Sequence, residues 1–207
     1  MFIASIISFI FITGNGSQND KSAKNIQIDF MDGNFVNAKS VPLKDIPNLK
    51  KYDKNFEAHL MCLHPEKYLK KLKNKGFKKI IFHIEATKNP EKTIKEIKKL
   101  KFISFIAINP ETKIEKILPF LSKVSGILFL GVYPGKEHQK FILQVYKKIK
   151  KLKKINKKIT IQVDGGINEK VAKKLAKLKV NIINSGSFIS DSKNPKQMLK
   201  KLNARFR

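Results

Sequence analysis

Tryptophan is absent from this 207-residue chain, cysteine occurs once, and arginine occurs only at Arg205 and Arg207. A lone Cys62 excludes a disulfide framework and a cysteine-rich zinc cluster. It follows Met61 beside an apolar strand, where a buried, inert thiol is expected, and a reducing cytoplasm suits such a chain. Acidic residues are also scarce: 16 Asp and Glu stand against 44 Lys and Arg, a formal charge of +28. That excess raises the question of nucleic acid. The shortage of arginine argues against it, because Arg is the side chain that makes bidentate contacts to phosphates and bases. The lysines recur in every predicted helix instead of marking one stripe, so they read as solvated helix faces. No specific nucleic-acid partner is expected, only weak adhesion to polyanions.

Long hydrophobic runs are missing too, except for MFIASIISFIFITG at the amino terminus. That run lacks the positive flank and small-residue cleavage pattern of a signal peptide and is short for a bilayer span. It is expected to be a first barrel strand, buried on both faces, with no membrane partner. The following TGNGSQNDKSAKN is polar and turn-rich, leaving room for only a short first helix.

What the chain does have is alternation. Short apolar, β-branched runs predict strands at Ile26–Phe30, Phe56–Leu60, Lys79–Ile84, Phe102–Ile108, Gly126–Gly131, Ile159–Val163 and Val180–Asn184. Lys-rich stretches at helical spacing lie between and after them, near Pro42–Lys51, Pro65–Lys75, Pro90–Leu100, Lys113–Lys123, His138–Lys154, Asn168–Lys177 and Asn194–Asn203. Pro42, Pro65 and Pro90 sit where a first helical turn tolerates proline, and Asn89, Asn168 and Asn194 are suited to capping. Eight such units predict a single-domain α/β fold over residues 1–207, a (β/α)8 TIM barrel with an abbreviated first helix.

In that barrel the carboxyl ends of the strands build the site. Gln27, Asp29 and Met31 share one face of the second strand, as do Glu57, His59 and Met61 on the third, while Asp164, Gly165 and Gly166 end the seventh. Each polar residue taken alone can be a strand cap; three converging groups point to an ion or a substrate. Two carboxylates approaching from opposed sides suit inversion at a carbon next to a carbonyl. One removes a proton from one face, and the other returns a proton to the opposite face. The enediolate between those steps needs positive charge at its oxygens, which a divalent ion held by the same Asp and His side chains supplies. VDGG at Val163–Gly166 and NSGS at Asn184–Ser187 offer backbone N–H groups from Gly165, Gly166, Gly186 and Ser187 to a phosphate. The segment Gly131–Phe141 is placed to close over the substrate, although its Pro134–Gly135 pair is equally an ordinary turn. His83 and Glu85 share a face near the pocket rim, with a structural histidine the default reading.

From Ile26 to Phe188 the chain resembles the ribulose-phosphate 3-epimerase family. The resemblance is carried by IDFMDGNFV, AHLM, FHIEAT, AINPET, VYPG followed by QKF, VDGGIN and SGS, in the family's order. It implies interconversion of D-ribulose 5-phosphate and D-xylulose 5-phosphate in the pentose phosphate pathway, with Asp29 and Asp164 as the acid/base pair. It also implies a divalent metal on Asp29, His59 and Asp164, a pocket lined by Met31 and Met61, a substrate contact from Ser5, and a homo-oligomer. The family's further metal-binding histidine is replaced here by Gln27. An amide oxygen is a poorer ligand than imidazole, so the ion is expected to bind more weakly or the site to prefer Mn²⁺, Fe²⁺ or Mg²⁺ over Zn²⁺. Leu130 stands where a third pocket methionine is usual, and the lid sequence GFGGQ becomes Gly135, Lys136, Glu137, His138, Gln139, keeping one glycine at Gly135. An allulose-6-phosphate-type epimerase and a sugar-phosphate-binding barrel with weakened catalysis are the alternatives.

Overall fold

The computed structural model describes residues 11–13, 25–136 and 138–206. Its sheet has eight strands: β1 (Phe11–Thr13), β2 (Asn25–Met31), β3 (Asn55–Met61), β4 (Lys79–His83), β5 (Ile103–Ile108), β6 (Gly126–Leu130), β7 (Thr160–Asp164) and β8 (Ile182–Asn184). From β2 to β8 the strands lie side by side in chain order, and every neighbouring pair is parallel. Helices cover the outside: α1 (Leu69–Lys75), α2 (Pro90–Lys99), α3 (Gln144–Ile155), α4 (Glu169–Lys177), the single turn α5 (Ser187–Ser190) and α6 (Pro195–Phe206). This is the curled α/β architecture of a TIM barrel.

The first strand differs from expectation in direction. Phe11–Thr13 lies beside β8, in the place foreseen for it, but runs antiparallel, with Thr13 opposite Ile182 at the start of β8. A parallel return to β2 needs a crossover of a dozen or more residues, generally helical, whereas residues 14–24 are few and polar. Running downward, β1 ends at the barrel end where β2 begins, and no crossover is required.

Two predicted helices are short 3-10 turns instead. Residues 42–51 form turns at Leu43–Asp45 and Leu49–Lys51, and residues 113–123 form turns at Ile114–Lys116 and Leu118–Phe120. Pro47 and Pro119 interrupt these segments; each removes a backbone donor and constrains the residue before it. The third helix begins at Gln144 and not at His138, because Ile142 N–H first bonds to the Gly131 carbonyl at 2.7 Å. All three capping asparagines act as read: Asn89, Asn168 and Asn194 accept from Lys92, Val171 and Gln197 N–H, each at 3.0 Å.

Strand parity divides the burial. Outward residues such as Ile28, Leu60, Phe82 and Ile106 pack against Leu72, Ile97, Ile149 and Leu175 of the helices in one continuous core, each fully buried aliphatic side chain contributing about 1.5–3 kcal/mol. Inward residues fill the barrel. Ile81, Phe105, Ala107, Leu128 and Leu130 make an apolar half; Gln27, Glu57, Lys79, Gln162 and Asn184 are buried on the other side. Among the described residues no helix is long and apolar enough to cross a membrane.

Cys62 is buried, and its S–H donates to the Phe30 carbonyl at 3.1 Å. Burial pushes its thiol up to about 12 from 9.0, a thiolate fraction about 10³-fold lower at a given pH. The folded protein is therefore expected to react with a disulfide reagent about 10³-fold more slowly than the urea-unfolded chain. Equal rates would show the thiol to be accessible.

Candidate active site

The β2–β3 register sets Gln27 opposite Glu57, Asp29 opposite His59 and Met31 opposite Met61, so three inward layers rise toward the strand carboxyl ends. Asp164, at the end of β7, stands between Leu130 and Asn184. Curling of the sheet brings it back to Asp29. His59 Nδ1 is 3.1 Å from Asp29 Oδ1 and 4.0 Å from Asp164 Oδ2, and one donor atom from each of the three lies within 4.8 Å of the others. Two carboxylate oxygens and an imidazole nitrogen at that spacing fit a divalent cation, with coordination positions left over for water or substrate.

The far side of His59 is equally determined. Its Nε2 is 2.9 Å from His83 Nε2, and His83 Nδ1 is 3.2 Å from Glu85 Oε2. Glu85 also accepts from the Asn109 N–H at 3.0 Å and from the Thr112 hydroxyl. Burial opposes ionisation of Glu85, but hydrogen bonds from His83, Thr112 and Asn109 outweigh it and bring the carboxyl down to about 2. An ionised Glu85 needs a proton on His83 Nδ1. His83 Nε2 is then an acceptor, His59 Nε2 carries the proton between the rings, and His59 Nδ1 is directed at the carboxylates. The structural default for His83 thus gains a specific content: it sets the tautomer of His59.

Burial pushes the Asp164 carboxyl up to about 7, reinforced by the charge of Asp29 and opposed by His59 and a Gln27 hydrogen bond. For His59 burial works downward, but the hydrogen bond and charge of Asp29, followed by Asp164, raise it overall. Burial takes His83 down to about 4 despite Glu85. Asp164 therefore titrates near neutrality, where a proton donor and acceptor is most useful.

A cavity of about 1300 Å³ opens over these groups. Met31 and Met61 line it and pack with Val36; Leu130 also lines it and is buried. Gly135, Gly165, Gly166, Gly186 and Ser187 all border the cavity. Gly165 and Gly166 have φ of +92° and +68°, and a Cβ on Gly166 would sit 2.8 Å from Phe141 N. Glycine there lets the turn after β7 pass beneath the segment after β6, in addition to any ligand role. Gly186 precedes α5, whose first N–H groups lack intrahelical acceptors. Gly135 lies across the mouth, where a Cβ would approach Val36 to 3.2 Å. Gln139 donates to the carbonyls of Tyr133 and Lys136, tying that segment back on itself. Gln27 lies beneath the carboxylates and presents amide nitrogen to them, 2.8 Å from Asp29 Oδ1 and 2.6 Å from Asp164 Oδ2. Ser5 lies outside the described residues.

Lys79, Gln162 and Asn184 join the buried polar half although sequence reasoning singled out none of them. Their signal was strand parity: Lys79 lies four residues before His83, and Gln162 two before Asp164.

Comparison with known proteins bears on the same residues. A family model described as the ribulose-phosphate 3 epimerase family matches residues 4–190. A ribulose-phosphate 3-epimerase of Methanocaldococcus jannaschii is 32% identical over 209 residues, covering 96% of this chain and 88% of that protein. One of Schizosaccharomyces pombe is 30% identical over 178 residues, covering 84% and 78%. The cytoplasmic isoform of Oryza sativa subsp. japonica is 29% identical over 182 residues, covering 86% and 80%. Among solved structures, a 3-hexulose-6-phosphate synthase superposes with a TM-score of 0.68 at 14% identity, over 89% of this chain and 88% of that one. The thiamine phosphate pyrophosphorylase of Pyrococcus furiosus superposes with 0.63 at 15% identity, over 90% and 84%. At such identities these two speak for the fold alone.

Proposed function

Since this chain belongs to the ribulose-phosphate 3-epimerase family, we propose that it interconverts D-ribulose 5-phosphate and D-xylulose 5-phosphate by proton transfer between Asp29 and Asp164. The observation that carries the mechanism is the convergence of two buried carboxylates from β2 and β7 on one side of His59, under an open cavity.

In one direction Asp29 takes the proton from C3 of the ketose, and the C–H electron pair becomes the C2–C3 double bond of an enediolate. Asp164 gives a proton to the opposite face of C3 and becomes the base for the return reaction. Asp29, His59 and Asp164 would hold a divalent cation, which when bound would supply positive charge at the substrate oxygens. Glu85, acting through His83, keeps His59 Nδ1 directed at that position. Met31 and Met61 give the pocket an apolar wall that limits water at the intermediate. Gly165, Gly166, Gly186 and Ser187 offer backbone N–H groups to the phosphate, and the segment around Gly135 closes the mouth. Mn²⁺, Fe²⁺, Zn²⁺ and Mg²⁺ are the candidate ions. A single domain, self-association and residence in the cytoplasm go with this reading, the last supported by the rice relative's name.

The test is a coupled assay in D₂O with ribulose 5-phosphate and each of those ions in turn, run beside allulose 6-phosphate. Deuterium is expected at C3 of the five-carbon ketose, and chelation is expected to abolish its incorporation. Preferential exchange of the six-carbon ketose would move the substrate. No exchange with either sugar under any ion would refute the epimerase reading.

A further inference from the structure

Beneath the two carboxylates, five side chains form one unbroken file of hydrogen bonds in which every link has a single allowed sense. Glu57 of β3 and Lys79 of β4 are both buried, with Lys79 Nζ 2.9 Å from Glu57 Oε2. Gln162 of β7 contacts both. An ammonium offers no lone pair and a carboxylate offers no proton, so Gln162 turns Oε1 to Lys79 and Nε2 to Glu57, the latter at 2.6 Å. The second hydrogen of that nitrogen meets Asn184 Oδ1 at 3.0 Å. Asn184 is left to donate through Nδ2 to Gln27 Oε1 at 2.7 Å. Gln27 is then left with its nitrogen, whose two hydrogens go to Asp29 Oδ1 and Asp164 Oδ2. The ends of an amide are nearly isosteric, so its sense is set by its partners; here an ion pair at one end and two carboxylates at the other orient three amides in series.

We propose that the Glu57–Lys79 pair is a positioning device for the reaction centre: acting through Gln162 and Asn184, it makes Gln27 a shared hydrogen-bond donor to Asp29 and Asp164. The ligand role expected for Gln27 from the sequence needs its oxygen. Turning the amide over would set that oxygen against two carboxylates and its nitrogen against Asn184 Nδ2, forfeiting three hydrogen bonds. A shared donor also suits a reversible reaction. Whichever carboxyl group holds the proton retains a lone pair for the amide, so Gln27 keeps both groups in place for either direction. The inference takes only the roles of Asp29 and Asp164 from the proposed function; the sense of the file does not depend on them.

The test is side-chain NMR of the full-length, ¹⁵N,¹³C-labelled, metal-free protein. Hydrogen-bond scalar couplings are expected from Gln27 Nε2 to the carboxylate carbons of both Asp29 and Asp164, and their absence would overturn the donor role. Gln162→Met cuts the file but leaves the ion pair intact. In that variant the two couplings should weaken, because the carboxylates still attract the Gln27 nitrogen but Asn184 no longer fixes its far end, and kcat should fall about 10- to 100-fold at unchanged KM. Unchanged couplings and kcat would show that the pair does not set the sense of Gln27. Should that variant fail to fold, the paired Glu57→Leu/Lys79→Met protein, which removes both charges together, takes the same readouts. Couplings in a wild-type protein without epimerase activity would remove the enzymatic reading and leave the file standing; an active enzyme without couplings would do the reverse.

Discussion

Asp164→Asn is expected to lower epimerisation at C3 of the substrate by about 10²- to 10⁴-fold, and Asp29→Asn by a similar factor. An asparagine oxygen at either position can still accept from Gln27 and preserve local packing, but the amide neither takes nor gives the required proton. The two losses should not multiply in the double variant, because both carboxylates serve one transfer. Proton NMR of the two ketoses reads their interconversion directly, and full activity in either single variant would remove that residue from the reaction. Stability should move the opposite way. The Asp164 carboxyl is held near 7 in the folded protein against 3.8 ordinarily. A raised value means that its contribution to stability is present below about pH 4 and lost as pH climbs through 7. Metal-free Asp164→Asn is therefore expected to melt above the wild type at pH 8, with the gap closing toward pH 4. A gap that widened on acidification would contradict the burial of this group.

Removing one member of the Glu57–Lys79 pair should produce the largest loss of stability. Lys79→Met leaves a buried carboxylate without its cation, a change that costs about 3–5 kcal/mol. The pair is buried although it borders a smaller cavity of about 420 Å³: Lys79 Nζ also lies 3.5 Å from the centroid of the Phe105 ring, and Glu57 accepts from Gln162. Burial raises the Glu57 carboxyl and lowers the Lys79 amine, and each partner's charge works against the shift in the other. Replacing both with apolar residues should recover most of the loss, since the expense lies in the orphaned charge. Urea denaturation of the single and double variants measures both quantities. A loss under about 1 kcal/mol for Lys79→Met, the range of exposed pairs, would show that water reaches the pair.

The parallel strands were legible because their two-residue periodicity and β-branched content are local properties. The three asparagine caps were legible for the same reason, being chemistry confined to one turn. The direction of β1 was not: an apolar run carries no record of its orientation, and only the shortness of the connection to β2 hinted at it. Pro47 and Pro119 were visible breakers in segments read as helical, so that error lay in weighing lysine periodicity above a missing backbone donor. In the site, the convergence of Asp29, His59 and Asp164 followed from strand ends alone. The sense of the Gln27 amide did not, because it is fixed by Asp29 and Asp164 on one side and, three links away, by Lys79 on the other, across a barrel whose closure no local pattern encodes.

The unequal halves of the barrel interior impose unequal rules on change. Ile81, Ala107, Leu128 and Leu130 meet through dispersion contacts, so aliphatic replacements there that conserve total volume leave no polar partner orphaned. The hydrogen-bonded half is epistatic: a new residue at any one position reverses or orphans its neighbours. Drift on that side must proceed in concerted blocks, and a homologue with histidine in place of Gln27 should carry compensating residues at the positions of Asn184 and Gln162.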